Sequence, residues 1–472
     1  MRGAIAAGHR VTAEAGARVL EAGGNAVDAC LAAALASWVA ESPLTGPGGG
    51  GFGLVYLARD ASTRVYDFFA AIPSERRGAM DEVVVDFADA STQRFHVGEA
   101  SCAVPGTVPG LEAIHRAHAT IPWRELVAPA AALARAGVEL TPAQAFLHEI
   151  LDSTLRRTPE GRVVYPPPRA GDTLRLPALA ATLDRLADEG SSAMPDLLDG
   201  LLPRRDLEAY RVGVRRPVET SFLGRRFLSN PPPSSGGVLI AYGLALLDRL
   251  GLGGPAGSAA AAARLVEVMR EQQRARARGG LSRRLLAEAT LKAAAARLTG
   301  TTHVSVVDGE GNVAALSASS GSGSGVIAAG FQLNNMLGEL DLIGGSTRPG
   351  ARLTSMMAPS LVLEEGRPRL VLGSAGSIRL RGAILQVVAN VAGHGLPVAE
   401  AIAAPRVHLE GAEVHVEAGG PADGLAALGH DVVRWGGLNL YFGGVSAVET
   451  CAGGSLAAAG DPRRGGHGIV VA

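Results

Sequence analysis

Cysteine, aromatic side chains and net charge are all scarce in this chain. Cys30, Cys102 and Cys451 are its three cysteines. No pair of them has metal-ligand or redox spacing, so neither a disulfide framework nor a thiolate metal site is expected. The 44 basic and 45 acidic residues leave a formal net charge of −1, and nothing in that balance draws the chain to nucleic acid or an anionic lipid surface. The local arginine clusters, Arg274–Arg276–Arg278 and Arg283–Arg284, read as solvated helix faces. The most apolar stretch, Ala26 to Ala40, carries Asp28 and is shorter than a membrane span requires. MRGAIAAGHRVTAEAG offers one basic residue and then too short an apolar run for a secretory signal. A soluble cytoplasmic protein is expected. Internal repeats are absent, and the glycine run Gly46–Gly51 lacks the lysine that a phosphate-binding loop would carry.

What is present is apolar material and sharp punctuation. With 472 residues, 47% of them hydrophobic, the chain can fill one large core or two ordinary ones. Helical spacing from Thr12 to Ala22, with Thr12 as N-cap, stops at Gly23–Gly24. Asn25 then caps a second helix, Ala26 to Glu41, apolar on nearly every face and therefore suited to burial between layers. Gly46–Gly51 suits close backbone approach and leads into a strand, Phe52–Leu57. Residues 122–201 read as helical, with a break at Tyr165–Pro168, and Asn230–Gly237 is a rigid turn before another apolar helix. Residues 256–298 are helical in propensity and end at Leu298–Thr299–Gly300. The period then changes from 3.6 to 2: His303–Asp308 and Val313–Ser319 form a hairpin around Gly309–Asn312.

The candidate chemistry lies in Gly300–Thr301–Thr302–His303. A hydroxyl needs an adjacent base to act as a nucleophile. A threonine at a chain N-terminus carries its own, since an α-amine titrates near pH 7.7–8. Thr301 reaches that state if the Gly300–Thr301 bond is cut, by an N-to-O acyl shift followed by ester hydrolysis. Gly300, without a Cβ, can take the strained conformation that exposes its carbonyl. Read alone, Gly-Thr-Thr also describes an ordinary strand entrance, and His303 an ordinary strand residue.

Further motifs run in order along the chain. GHRVTAEAGARVLEAGGNAVDACLAAALA and the glycine loop are followed by CAVPGTVPGLEAIH and PPPSSGG. TTHVSVVDGEGNVAAL, LNNMLGELDL, RLTSMMAPSLV and LGSAGSIRLRGAILQVV come after them. Taken together they resemble the gamma-glutamyltransferases, a family of N-terminal nucleophile hydrolases, over nearly the whole length. The resemblance implies an α/β (α+β) fold, a four-layer α/β/β/α sandwich. Residues 1–300 would form a large segment and 301–472 a small one, sharing one core and associated after autocleavage at Gly300–Thr301. It implies Thr301 as the nucleophile and Ser319, or Ser317, as the hydroxyl that steadies its amine. Glu339 would grip the substrate's α-amino group, and Thr354 and Ser355 its α-carboxylate. The backbone N–H groups of Gly376 and Ser377 would form the oxyanion hole, roughly 2.7–4 kcal/mol per donor. The implied partners are a γ-glutamyl or other acyl amide as substrate and water or an amino acid as acceptor, with no cofactor and no metal.

Two positions depart from the family pattern. Within Asp67–Pro73, Phe69 stands where an arginine clamps the glutamyl carboxylate, and a phenyl ring cannot supply that planar fork. Arg76, Arg77, Arg379 and Arg381 are the candidates to replace it. Met336 stands where the family uses a polar amide. The leading reading is a gamma-glutamyltransferase or glutathione hydrolase activity through a Thr301 acyl-enzyme. A glutaryl or other acyl amide hydrolase is the alternative, and an unprocessed, catalytically silent binding protein a third.

Overall fold

The computed structural model describes residues 1–86, 92–277, 301–339, 342, 348–376 and 379–472. Two antiparallel sheets lie face to face. The first runs in the order His467–Val471, Gly3–Ala7, Thr302–Asp308, Val313–Ser319, Gly50–Leu57, Ser62–Phe68, Gly213–Arg215. The second runs Leu456–Gly460, Gly444–Thr450, Arg367–Ala375, Ser360–Glu364, Arg225–Ser229, Val218–Phe222. Both sheets take strands from the two sides of position 300, interleaved in the first and joined side by side in the second.

Strand alternation explains the layers. In Gly3–Ala7, Ala4 and Ala6 join Leu54, Tyr56, Val307, Leu361 and Val371 between the sheets. Ile5 and Ala7 point the other way, into a cluster with Leu31 and Leu35 of an outer helix and Val304 of the neighbouring strand. Arg10–Glu21 and Ala26–Ala40 cover the first sheet, and Gly236–Leu250 with Leu380–Val388 covers the second. The result is helix, sheet, sheet, helix, as the resemblance implied. Helix Ala26–Ala40 is buried at every position, which is why its sequence shows no polar face.

Caps and turns explain the boundaries. Asn25 caps the second helix as expected: its side chain accepts from Val27 N and Asp28 N, and the Asp28 carboxylate accepts from Asn25 N in a capping box. The first helix departs from expectation. It begins at Arg10 with His9 as N-cap, the ring accepting from Val11 N, while Thr12 sits inside the helix and uses its hydroxyl elsewhere. The hairpin forms with Thr302 added to its first strand, and Asp308 closes the turn by accepting from Glu310 N and Asn312 N. The glycine run serves close approach. A Cβ on Gly49 would stand 2.5 Å from the Ser319 carbonyl oxygen, and one on Gly51 would collide with that of Ser317. Residues 122–201 break into more and shorter helices than the sequence suggests, among them Trp123–Ala136, Pro142–Ile150 and Pro177–Glu189. Pro142 and Pro177 open the first turns of the last two, and Pro122 precedes the first as its N-cap. The helix expected over 256–298 is present as Ala259–Ala277, after a turn at 256–257; residues 278–298 lie outside the described residues. No helix among the described residues is long and apolar enough to cross a membrane.

Candidate active site

Thr301 stands at the head of the central strand Thr302–Asp308 and is 1% exposed. It lines a cavity together with Thr302, His303, His9, Glu41, Ala375, Ser446 and Arg464. Alternation sends neighbouring side chains to opposite faces. Thr302 turns toward the outer helices, where its hydroxyl donates to Glu41 at 2.6 Å, and Thr12 donates to the other carboxylate oxygen at 2.9 Å. Burial raises the pKa of Glu41, opposed by those two hydroxyls and by the more distant charge of Arg464.

His303 turns toward the second sheet. Its Nδ1 lies 2.8 Å from Ser317 Oγ and its Nε2 2.9 Å from Ser305 Oγ. Ser305 spends its proton on the Ser446 carbonyl, so Nε2 donates to Ser305 and Nδ1 accepts from Ser317. Burial pushes the His303 pKa down to about 3. Both ring nitrogens are occupied and the ring is neutral, which makes His303 a strand residue that ties the two sheets together.

The hydroxyl choice separates by register. Thr302 pairs with Ala318 and His303 with Ser317, so continuing one step sets Ser319 opposite Thr301 on the same face. Ser319 accepts from Gly321 N at 2.8 Å. Glu339 reaches the same turn: its Oε1 is 2.8 Å from where a Cβ on Gly321 would stand. Asn335 accepts from Ser322 N there. Ser319 and Glu339 are therefore brought together, beside the head of the Thr301 strand.

Thr354 and Ser355 are held differently. Thr354 donates both its N–H and its hydroxyl to Leu342 O. Ser355 accepts from Met357 N through its hydroxyl, while its carbonyl takes bonds from Ser235 N, Gly236 N and Ser234 Oγ. The Pro231–Gly237 and Arg352–Val362 motifs thus meet at Ser355, which does not line the Thr301 cavity. Gly376 follows the strand Arg367–Ala375, whose last residue, Ala375, lines the Thr301 cavity. Its φ is +120°, and a Cβ there would sit 2.7 Å from Gly443 Cα, so the position needs glycine. Gly300 and Ser377 lie outside the described residues.

Phe69 is 1% exposed and stacks on Phe52 with ring centroids 5.6 Å apart. Met336 belongs to the same apolar cluster, with Leu353 and Met356. The two positions expected to depart from the family pattern thus share one hydrophobic cluster. Arg352 lies close by, but its guanidinium donates to the Phe69 and Arg211 carbonyls and pairs with Asp67. Arg76 is exposed and Arg77 donates to Gly200 O. Arg379 is buried over the Tyr441 ring at 3.8 Å and paired with Glu410. Arg381 is buried, and its pKa is lowered to about 9 by burial and by Arg276. None of these four lines the Thr301 cavity.

Sequence reasoning gave no role to Glu41 or Arg464. The visible signal for Glu41 is an acid at the end of a largely apolar helix; for Arg464, the second of a pair of arginines near the last strand shows nothing by pattern alone.

A family model described as gamma-glutamyltranspeptidase matches residues 12–280 and 282–471. The glutathione hydrolase proenzyme of Pseudomonas aeruginosa is 30% identical over 537 residues, covering 99% of this chain and 94% of that protein. The acylase ACY 1 proenzyme of Pseudomonas sp. (strain V22) is 31% identical over 540 residues, covering 100% and 94%. Among solved structures, the cephalosporin acylase from Bacillus halodurans superposes with a TM-score of 0.84 over 99% of this chain and 95% of that one. At 23% identity this is a likeness of fold.

Proposed function

Because the chain belongs to the gamma-glutamyltranspeptidase family of enzymes and is an amide hydrolase of that family, we propose that Thr301 is its nucleophile, released as a new N-terminus by cleavage of Gly300–Thr301. Residues 1–300 and 301–472 are then two segments held together by the strands that both contribute to each sheet. The Thr301 amine takes the hydroxyl proton, and Oγ1 attacks the carbonyl of a γ-glutamyl or related acyl amide. The N–H groups of Gly376 and Ser377 hold the oxyanion. The amine returns the proton to the leaving nitrogen as the C–N bond breaks, leaving an ester on Thr301. Water or an amino acid then takes the acyl group.

The observation that carries this reading is the position of Thr301: at the head of the central strand, lining a cavity that Ala375 also lines, one residue before Gly376. Ser319, opposite Thr301 by register, suits the role of steadying the amine, and Glu339 at the adjoining turn suits recognition of an ammonium group. A denaturing gel tests the reading. Wild type should run as two bands, the smaller with Thr301 at its N-terminus, and Thr301→Ala as one inactive band. A single band in active wild type would overturn it.

A second reading rests on the buried Phe52–Phe69 stack and Met336. An apolar wall in place of an arginine fork favours a glutaryl or other acyl amide over a γ-glutamyl one. Side-by-side turnover of γ-glutamyl-anilide and glutaryl-anilide decides between them.

A further inference from the structure

Arg463 and Arg464 are adjacent in sequence and opposite in circumstance. Arg463 is saturated: it pairs with Glu417 and Asp461 and donates to the carbonyls of Ile402 and Ala404. Arg464 forms no ion pair among the described residues, and its buried Nε has no hydrogen-bond partner. The carboxylates nearest to it are committed elsewhere. Asp461 is engaged by Arg406 and Arg463, and Glu41 by Thr12 and Thr302.

The fold nevertheless makes room for this cation. A Cβ on Gly444 would collide with Arg464 Cδ, so glycine there admits the side-chain stem. Nη2 lies 3.8 Å from where a Cβ on Gly376 would stand, beside the end of the strand that leads to the proposed oxyanion donors. The side chain lines the same cavity as Thr301 and keeps partial solvent contact. Enclosure nonetheless lowers its pKa to about 10, which leaves it charged at neutral pH. An enclosed guanidinium without a counter-ion is costly, and a carboxylate brought in by a ligand removes that cost with charge-assisted hydrogen bonds.

We propose that Arg464 binds a carboxylate of the substrate, the task for which Phe69 is unfit. The inference rests on Thr301 being the nucleophile, because only then is the cavity beside Arg464 the place where the amide is cleaved. The carboxylate belongs either to the acyl group, as in a glutaryl or γ-glutamyl amide, or to the leaving amine.

Three anilide-type substrates separate these sources: pentanoyl-anilide with no carboxylate, glutaryl-anilide with one on the acyl side, and pentanoyl-4-aminobenzoate with one on the leaving side. Wild type, Arg464→Lys and Arg464→Gln are compared, each processed at position 301. In Arg464→Gln, kcat/KM for one carboxylated substrate should fall relative to pentanoyl-anilide by about 30-fold or more, chiefly through KM. The substrate that responds names the side. Arg464→Lys should keep part of the preference, since it retains charge without the planar fork. Inhibition by free glutarate gives a second readout that needs no turnover of the neutral substrate: its Ki should rise in both variants. Equal losses on all three substrates with an unchanged glutarate Ki would overturn the proposal. Wild type idle on every amide, with no cut at position 301, would instead overturn the Thr301 reading.

Discussion

Thr302 donates its hydroxyl to the buried carboxylate of Glu41 at 2.6 Å, tying the residue after the proposed nucleophile to the end of the helix beneath it. Thr12 supplies the second bond at 2.9 Å. This clamp fixes the direction in which the central strand begins, and therefore where Thr301 points.

Replacing Glu41 by Ala leaves two buried hydroxyls without their acceptor. It should cost about 1–3 kcal/mol for the groups left unsatisfied, read as a lower urea midpoint at unchanged m-value. Activity per folded molecule should also fall, since the strand head loses its anchor.

The same residue sets a pH signature. Burial raises the folded pKa of Glu41 above its unfolded value. Its contribution to stability is therefore fully present below the unfolded pKa and declines as pH rises through the folded one. The stability difference between wild type and Glu41→Gln should shift in favour of the variant from acidic to neutral pH. Urea titrations of both proteins at several pH values check this; a difference independent of pH would contradict it.

His303 works in the opposite sense. Its folded pKa is pushed down to about 3 from an ordinary 6.5, so between those values the unfolded chain binds a proton that the folded one refuses. Stability should climb from pH 3 to 6.5 and level off above. In His303→Gln that climb should be shallower, as urea midpoints across this range will show.

How much of this was legible beforehand follows from what kind of signal each residue leaves. The hairpin at 302–319 was readable because alternation and the Gly309–Asn312 turn are local, and Asn25 because a cap is chosen by its own helix. Thr12 misled because a threonine beside a helix start resembles a cap, while its true partner, Glu41, is 29 residues away. The four-layer order came from the resemblance rather than from periodicity. Ser319 could not be separated from Ser317 by sequence; register does so, because Ser317 lies opposite His303 and the next position on that face, Ser319, falls opposite Thr301. Arg464 left no pattern, since its isolation is a property of what surrounds it in space.

Phe69 offers a sharper test of the apolar wall. Phe69→Ala removes a buried ring stacked on Phe52 and should cost about 3–5 kcal/mol. Phe69→Arg should destabilise the protein as well, by placing a charge in that cluster. It should not raise γ-glutamyl-anilide turnover. A gain of γ-glutamyl activity in Phe69→Arg would show that the position still faces the substrate's carboxylate.

Gly376→Ala forces a Cβ against Gly443 at a φ of +120°. Movement of the backbone N–H away from the oxyanion should lower kcat by about 10²–10³, with a smaller change in KM. Steady-state kinetics on the processed enzyme measure the split.

The central claim is that Thr301 carries the acyl group. Mixing the processed enzyme with excess acyl-anilide, quenching in acid and determining the mass of the peptides reads this directly. The account predicts the acyl mass on the peptide that begins at Thr301, and no such adduct in Thr301→Ala. An adduct on any other residue, or undiminished turnover by Thr301→Ala, would contradict it.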